Sequence, residues 1–308
     1  MQVSSVEAAL RDSPEDRDLW LAYSDGLLER GDSRGTLIRL EQRLELLHGA
    51  DGADRTAVQR DIAELVDRDE AAWDDGLPTG VRVRRRRHGF PTDVAVTWTE
   101  DVRETAAQVL SAPFVTTLRL VADAVDQDDL DDKEWDDDDY TWDGGPGVAN
   151  RPGRLDLGVL TGLDTGRLVE LDLAYLDVGP DGAETLATAF DLGRLQALDV
   201  RYCRIGDAGL AALAGSAQLG GLRRLHLQRD RITGAGVHAL HRFPALTELD
   251  LRYNAIGADG VDVLLAAPFA AGLTRLWLYS ADVGSGGARA LARSASLSPA
   301  LRTLWRCV

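Results

Sequence analysis

The second half of this chain repeats itself, and the repeat limits what it can fold into. Units begin with L-x-x-L-x-L or a near variant: "LVELDL" at Leu168, "LQALDV" at Leu195, "LRRLHL" at Leu222, "LTELDL" at Leu246 and "LTRLWL" at Leu273. A shortened "LRTLW" begins at Leu301. Successive starts are 27, 27, 24, 27 and 28 residues apart. Fourteen residues after each of the first five starts stands a glycine: Gly182, Gly209, Gly236, Gly260 and Gly287. Eighteen residues after each stands a leucine: Leu186, Leu213, Leu240, Leu264 and Leu291. Chance would scatter both.

The L-x-L alternation predicts a short strand with its leucines on one face. The later part of each unit, such as "GDAGLAALAGS", has helical spacing at Leu210, Leu213 and Ala214. A strand and helix of this size cannot bury their apolar faces alone, but stacked copies can. The pattern resembles the leucine-rich repeat family, in its longer form with a helix in every unit, as in ribonuclease inhibitors. That resemblance implies an α/β solenoid, with a curved parallel sheet inside and helices outside. The family's Asn/Cys slot, eight residues after each start, holds Leu176, Cys203, Asp230, Asn254 and Ala281. Only Cys203 and Asn254 fit it well, so its polar ladder is expected to be incomplete. Cys203 reads as a buried structural thiol. The phased glycines read as turn residues.

Upstream the repeat continues in weaker form. "LSAPFVTTLRL" (110–120) resembles "LAAPFAAGLTRLWL" (265–278), which makes Leu118 and Leu120 a repeat strand. "TEDVRETAAQVL" reads as a helix capped by Thr99, and "VRVRRRRHGFPTDVAV" as a hairpin with His88 to Pro91 in its turn. Residues 1–76 are predicted to form a small all-α domain. Ser13 and Pro14 would open a helix with Leu19, Trp20, Tyr23, Leu27 and Leu28 on its apolar face. Leu37, Leu40, Leu44 and Leu47 mark a second helix and "RTAVQRDIAELVDRDEAAW" a third. "LAYSDGLLERGD" (21–32) and "LIRLEQRL" (37–44) resemble the short companion domain that precedes leucine-rich repeats in many bacterial proteins. The expected organisation is therefore a helical domain over 1–76 and a solenoid over 77–308. The solenoid opens with a capping hairpin and repeat (77–112) and is interrupted by an acidic insertion at about 121–154.

The chain has 308 residues, a formal net charge of −17 and two cysteines, Cys203 and Cys307. Two cysteines are too few for a disulfide framework. No stretch approaches the roughly 20 apolar residues of a membrane span, and the N-terminus lacks a signal peptide's basic and apolar regions. These features point to a cytoplasmic protein. The acidity argues against nucleic acid and anionic membranes as partners, because phosphates are repelled. The one basic run, "RVRRRRHG" (82–89), is expected to pair with the chain's own carboxylates. There is no phosphate-cradling glycine loop, no His-Glu-x-x-His and no Cys-x-x-Cys. His238 and His241 stand three apart with no evident third ligand. No catalytic residue, metal or cofactor is predicted.

In the expected strands, outward positions alternate with the leucines. One row runs Asp172, Asp199, His226, Asp250, Trp277 and Trp305; the next runs Ala174, Arg201, Gln228, Arg252 and Tyr279. Tyr175, Tyr202 and Tyr253 follow at the strand ends. Tyr, Trp and Arg bury much area for little lost flexibility, so this concave face is the expected site for a protein or peptide. Trp277, Tyr279 and Trp305 lead the candidates, with Arg252, Tyr253, His226, Arg201, Tyr202, Asp199 and Asp250 beside them. The alternative is a solvated face whose Asp and Arg neutralise one another. The chain end at "LWRCV" is expected to be an uncapped strand and a possible edge for self-association, with the oligomeric state open.

The insertion carries "DQDDLDDKEWDDDDYTWDGG" (126–145), eleven acids against one lysine. Its acids lack the glycine spacing of a calcium loop, and it is too charged to bury a core of its own. Trp135, Tyr140 and Trp142 around Asp136, Asp137, Asp138 and Asp139 suggest an acidic flap. The flap would dock on the Arg82–Arg87 hairpin or on a basic partner. The leading reading is a non-enzymatic interaction scaffold. A second is an acidic inhibitor or regulator of a basic enzyme such as a nuclease, and a third an enzyme or metal-dependent switch.

Overall fold

A computed structural model describes residues 3–47, 52–122 and 154–305. The acidic flap, with Trp135, Asp136 to Asp139, Tyr140 and Trp142, lies outside the described residues, as does Cys307. The chain divides into two compact units. One comprises Met1–Val94 and Gln108–Val115, the other Ala95–Ala107 and Thr116–Val308.

The first unit holds helices α1 (Val3–Asp12), α2 (Arg17–Leu28), α3 (Arg34–Leu46) and α4 (Gly52–Trp73), then strand β1 (Val81–Arg87) and the start of β2 (Phe90–Thr97). Helix α1 was not foreseen, although its Val6 and Leu10, four apart, are both buried. Helix α2 is capped by Asp16 rather than Ser13. The Asp16 carboxylate accepts from the N–H groups of Asp18 and Leu19 at 2.9 and 3.0 Å, and Ser13 instead ends α1 through its N–H on Ala9. An aromatic cluster fills the core: Trp20, Tyr23, Phe90 and Phe114 pack with ring centroids 5.1 to 5.9 Å apart. The hairpin turn uses only His88 and Gly89, both left-handed (φ 52° and 80°), while Phe90 and Pro91 belong to β2. Two left-handed residues match the twist of a tight hairpin. Arg85 pairs with Asp93, Arg86 with Glu70 and Asp74, and Arg87 with Glu15. The basic run thus meets this unit's own acids, as its charge suggested.

The second unit is the repeat array. Strands β3 (Thr117–Val121), β4 (Glu170–Asp172), β5 (Ala197–Asp199), β6 (Arg224–His226), β7 (Glu248–Asp250) and β8 (Arg275–Trp277) pair in chain order, all parallel. The register aligns Leu171, Leu198, Leu225, Leu249 and Leu276, all buried. Leu186, Leu213, Leu240, Leu264 and Leu291 meet them from the helical segments and are fully enclosed. Each such leucine stabilises the fold by about 1.5–3 kcal/mol relative to exposure.

The phased glycines do not serve turns. They sit inside the helical segments, where at Gly209, Gly236, Gly260 and Gly287 a side chain would crowd the neighbouring unit. A Cβ on Gly260 would lie 2.8 Å from the Cα of Gly234, and one on Gly209 would lie 3.0 Å from the Ala183 Cβ. They let successive helices approach closely. The turn glycines are Gly179, Gly206, Gly257 and Gly284, eleven residues after a start, with φ near +64°. There the chain swings from strand to helix while Gly179 and Gly206 still donate to Cys203 and Asp230 of the next unit at 2.9 Å.

Residues 299–304 correct another expectation. "PALRTL" is a helix, not a strand. A repeat strand needs a third apolar residue, and position 306 is arginine. Pro299 is suited to a helix start, and Leu297 and Leu301 bury themselves.

Candidate functional site

Among the described residues, the array leaves one face of its sheet open. Counting from each unit's first leucine, the residues at offsets two, four and six point away from the helices. At offset four the row is Asp172, Asp199, His226, Asp250 and Trp277, continued upstream by Arg119, which pairs in register with Asp172. Trp305 is not in this row. It follows the C-terminal helix and is 7% exposed, which removes it from the candidate surface.

This face is a network of ion pairs. Arg119 binds Asp172 at 2.7 Å and Glu170 at 3.3 Å, and Glu170 also accepts from Arg224 at 2.8 Å. Arg201 turns back onto Asp199 at 2.8 Å, and Arg252 onto Asp250 at 2.5 Å. His226 lies between two carboxylates, with Nδ1 3.3 Å from Asp199 and Nε2 3.0 Å from Glu248. Arg275 completes the chain on Glu248 at 3.2 Å.

Burial and hydrogen bonding compete in setting the charge of these groups. Burial, then the neighbouring Asp199 charge, pushes Asp172 up to about 7, against the Ala174 N–H and Arg119. Burial also acts on Asp199, but bonds from His226 and Arg201 outweigh it and hold that carboxylate low. For His226 burial favours the neutral ring, but its bonds to Asp199 and Glu248 outweigh it and raise its pKa above the ordinary value.

Aromatic side chains continue the face toward the strand ends. Trp277 is half-buried and lies 5.9 Å from His226, edge to face. Tyr279 is 38% exposed and packs on Tyr253 at 4.9 Å. The Arg252 guanidinium lies 6.0 Å from both the Trp277 and Tyr279 rings. Farther up, Tyr175 stacks on Tyr202 at 4.8 Å, with Arg229 5.8 Å from the Tyr202 ring. Of the expected site, the structure brings Trp277, Tyr279, Arg252 and Tyr253 together. Tyr202 and Asp250 are mostly buried. Arg224 and Arg275, at offset two, were missed, although the same alternation reaches them.

Tyr175, Tyr202, Arg229 and Tyr253 are all left-handed, with φ between 56° and 66°. Non-glycine residues there cost of order 1–3 kcal/mol each. The conformation lets Tyr175, Tyr202 and Arg229 donate their N–H to Arg201, Gln228 and Arg252 of the following unit at 2.8–2.9 Å.

Below this row runs the polar ladder, more complete than the slot residues implied. Asn254 accepts from the N–H groups of Asp230 and Ile232, and its amide donates to the carbonyls of Leu227, Leu251 and Arg252. Asp230 accepts from the Cys203 N–H at 2.9 Å, and the Cys203 thiol donates to the Leu173 carbonyl at 2.9 Å. Where Ala281 leaves the slot empty, Asp282 replaces it, accepting from Tyr253 and Tyr279. Cys203 is buried as expected, and burial pushes its thiol up.

These features agree with the comparison to known families. Residues 195–214 and 244–265, each a strand with its helix, match the family model for the leucine-rich repeat. Two of the units are leucine-rich repeats. The α/β architecture, with short parallel strands and outer helices, is that of a leucine-rich repeat solenoid. Among curated proteins none matches the chain. Among the described residues no group of three or more His, Cys, Asp or Glu is arranged to hold a metal ion. His238 and His241 lie 6.0 Å apart, and His241 bonds the Val263 carbonyl. No described helix is long and apolar enough to cross a membrane.

Proposed function

We propose that the chain is a cytoplasmic, non-enzymatic interaction scaffold that binds a protein or peptide on the open face of its leucine-rich repeats. Leucine-rich repeats generally serve as protein-interaction modules. The helical region over 1–76 would act as a companion domain to a solenoid over 77–308. The observation that carries the reading is the cluster of Trp277, Tyr279, Tyr253 and Arg252 on one edge of the sheet. Large aromatics that share an open face with arginine form the composition of binding hot spots. The arginines are already fixed by their carboxylates, so little freedom is lost on binding.

The test is affinity capture from the native host with the wild type and a Trp277→Ala/Tyr279→Ala variant, read by mass spectrometry. The expected result is loss of one or more partners from the variant. Retention of every partner refutes the reading. A third bait lacking residues 126–145 separates it from the acidic-inhibitor alternative, which requires partners that depend on the insertion instead.

A further inference from the structure

The open face does not share the strong negative charge of the chain. At offsets two, four and six, Glu170, Asp172, Asp199, Glu248 and Asp250 supply five carboxylates, and Arg119, Arg201, Arg224, Arg252 and Arg275 supply five guanidinium groups, with His226 in addition. The net −17 of the chain therefore lies outside this face.

Depth sharpens this difference. The carboxylates form the floor: the side chains of Asp172 and Asp250 are 4% and 3% exposed. Every one of the five accepts from an arginine or from His226. The cations form the mouth: Arg275 is 66% exposed and Arg224 47%. Beside Trp277 the separation is clearest: Arg252 and Arg275 are 29% and 66% exposed, over Asp250 and Glu248 at 3% and 12%. Arg275 gives one N–H to Glu248 and carries the rest of its fork toward solvent. Beside it stand Trp277 and the exposed Tyr279.

We propose that this face takes an acidic peptide segment of a partner protein, with its carboxylates on Arg252 and Arg275 and its apolar residues on Trp277 and Tyr279. Guanidinium forks match carboxylates in geometry as well as charge. The face therefore selects against the basic partner that the net charge of the chain suggests. A nucleic acid would find the same arginines, but it is a longer polyanion and would also meet the acidic remainder. This inference rests on the interaction reading above and assigns the chemistry of the partner.

The test uses the full chain and three labelled pools of random peptides: rich in Asp and Glu, rich in Lys and Arg, and uncharged, all with aromatic positions. Binding is read by fluorescence anisotropy between about 0.05 and 0.5 M salt. The acidic pool should bind, weaken with salt and lose at least about tenfold on Arg252→Gln/Arg275→Gln. Arg60→Gln, on exposed α4, should leave binding unchanged, and thermal unfolding should show both variants folded. Preference for the basic or uncharged pool overturns the inference, and if that binding still needs Trp277 and Tyr279 the interaction reading stands without it. Acidic-pool binding that ignores the arginine substitutions overturns it. So does a single-stranded oligonucleotide that binds as tightly, or the absence of binding by any pool.

Discussion

Replacing Asp230 by asparagine should stabilise this protein, and increasingly so as the pH rises. Asp230 is fully buried in the ladder slot that Asn254 fills one unit later. Its Oδ1 accepts from the Cys203 N–H, but its Oδ2 has no partner. The repeat register explains why. The equivalent atom of Asn254 is its Nδ2, which donates to three carbonyls at 2.7, 3.0 and 3.3 Å. A carboxylate oxygen there faces acceptors with nothing to donate, unless it is protonated. Burial accordingly pushes Asp230 well above the ordinary carboxylate range, against the N–H groups of Ile205, Arg204 and Cys203.

The sign follows from linkage. A group whose folded pKa is raised favours folding fully only below its unfolded pKa, about 3.9 for Asp. That contribution is lost as pH rises through the folded value, at about 1.4 kcal/mol per pH unit. Asparagine is uncharged, so Asp230→Asn removes this slope. It also satisfies a group whose orphaning costs about 1–3 kcal/mol. The assay is urea unfolding of both proteins at pH 5 and pH 8. Asp172 and Asp282 are also raised and contribute to both curves, so the difference isolates position 230. The variant should gain at both pH values and gain more at pH 8. Parallel stability–pH curves, or a loss of more than about 1 kcal/mol at pH 8, would refute the reasoning.

Five further substitutions probe the rest of the solenoid. Gly260→Ala should cost about 1–3 kcal/mol in urea unfolding, because its Cβ meets the Gly234 backbone at 2.8 Å. Gly215→Ala has open space and should gain up to about 1 kcal/mol. In an NMR pH titration, His226 should titrate above its ordinary value and fall back in Glu248→Gln, since that carboxylate bonds Nε2 at 3.0 Å. Its raised pKa stabilises the fold fully below about 6.5 and ceases to do so as pH rises through the folded value. Trp305→Ala should lower stability by about 3 kcal/mol, as for a buried aromatic, and leave partner capture by the folded fraction unchanged. Tyr279→Ala should do the reverse.

The solenoid was legible because its determinants are periodic. Each strand needs its leucines at fixed offsets, and a fixed offset recurs visibly over five units. The open face followed from the same alternation, which is why Trp277, Tyr279 and Arg252 fall where they were expected. What stayed hidden depends on contacts between units. Glycine is used for two physical reasons, left-handed φ at Gly206 and close approach at Gly209, and the letter is the same for both. Asp230 looked like a poor occupant of an Asn slot, yet one carboxylate oxygen does half of the asparagine's work, and the deficit appears only at the other oxygen. Asp282 repairs the missing slot from one position away, which no fixed-offset pattern can anticipate.

Trp305 shows where pattern matching fails. "LRTLW" carries two of the three apolar marks of a repeat strand, but the third decides whether the strand can close the core. With arginine at 306, an extended segment would gain less than a helix that buries Leu301 and Trp305. The consequence reaches the function. An aromatic surface spread to the chain end contracts to the β7–β8 edge, where Arg252 and Arg275 accompany Trp277 and Tyr279. The net charge of −17 describes the whole chain and conceals that at this edge the guanidinium groups are exposed and their carboxylates buried. Electrostatic recognition is set by the charges within a Debye length of the site, about 8 Å at physiological salt. The exposed guanidinium groups over their buried carboxylates therefore count for more than distant acids in choosing a partner.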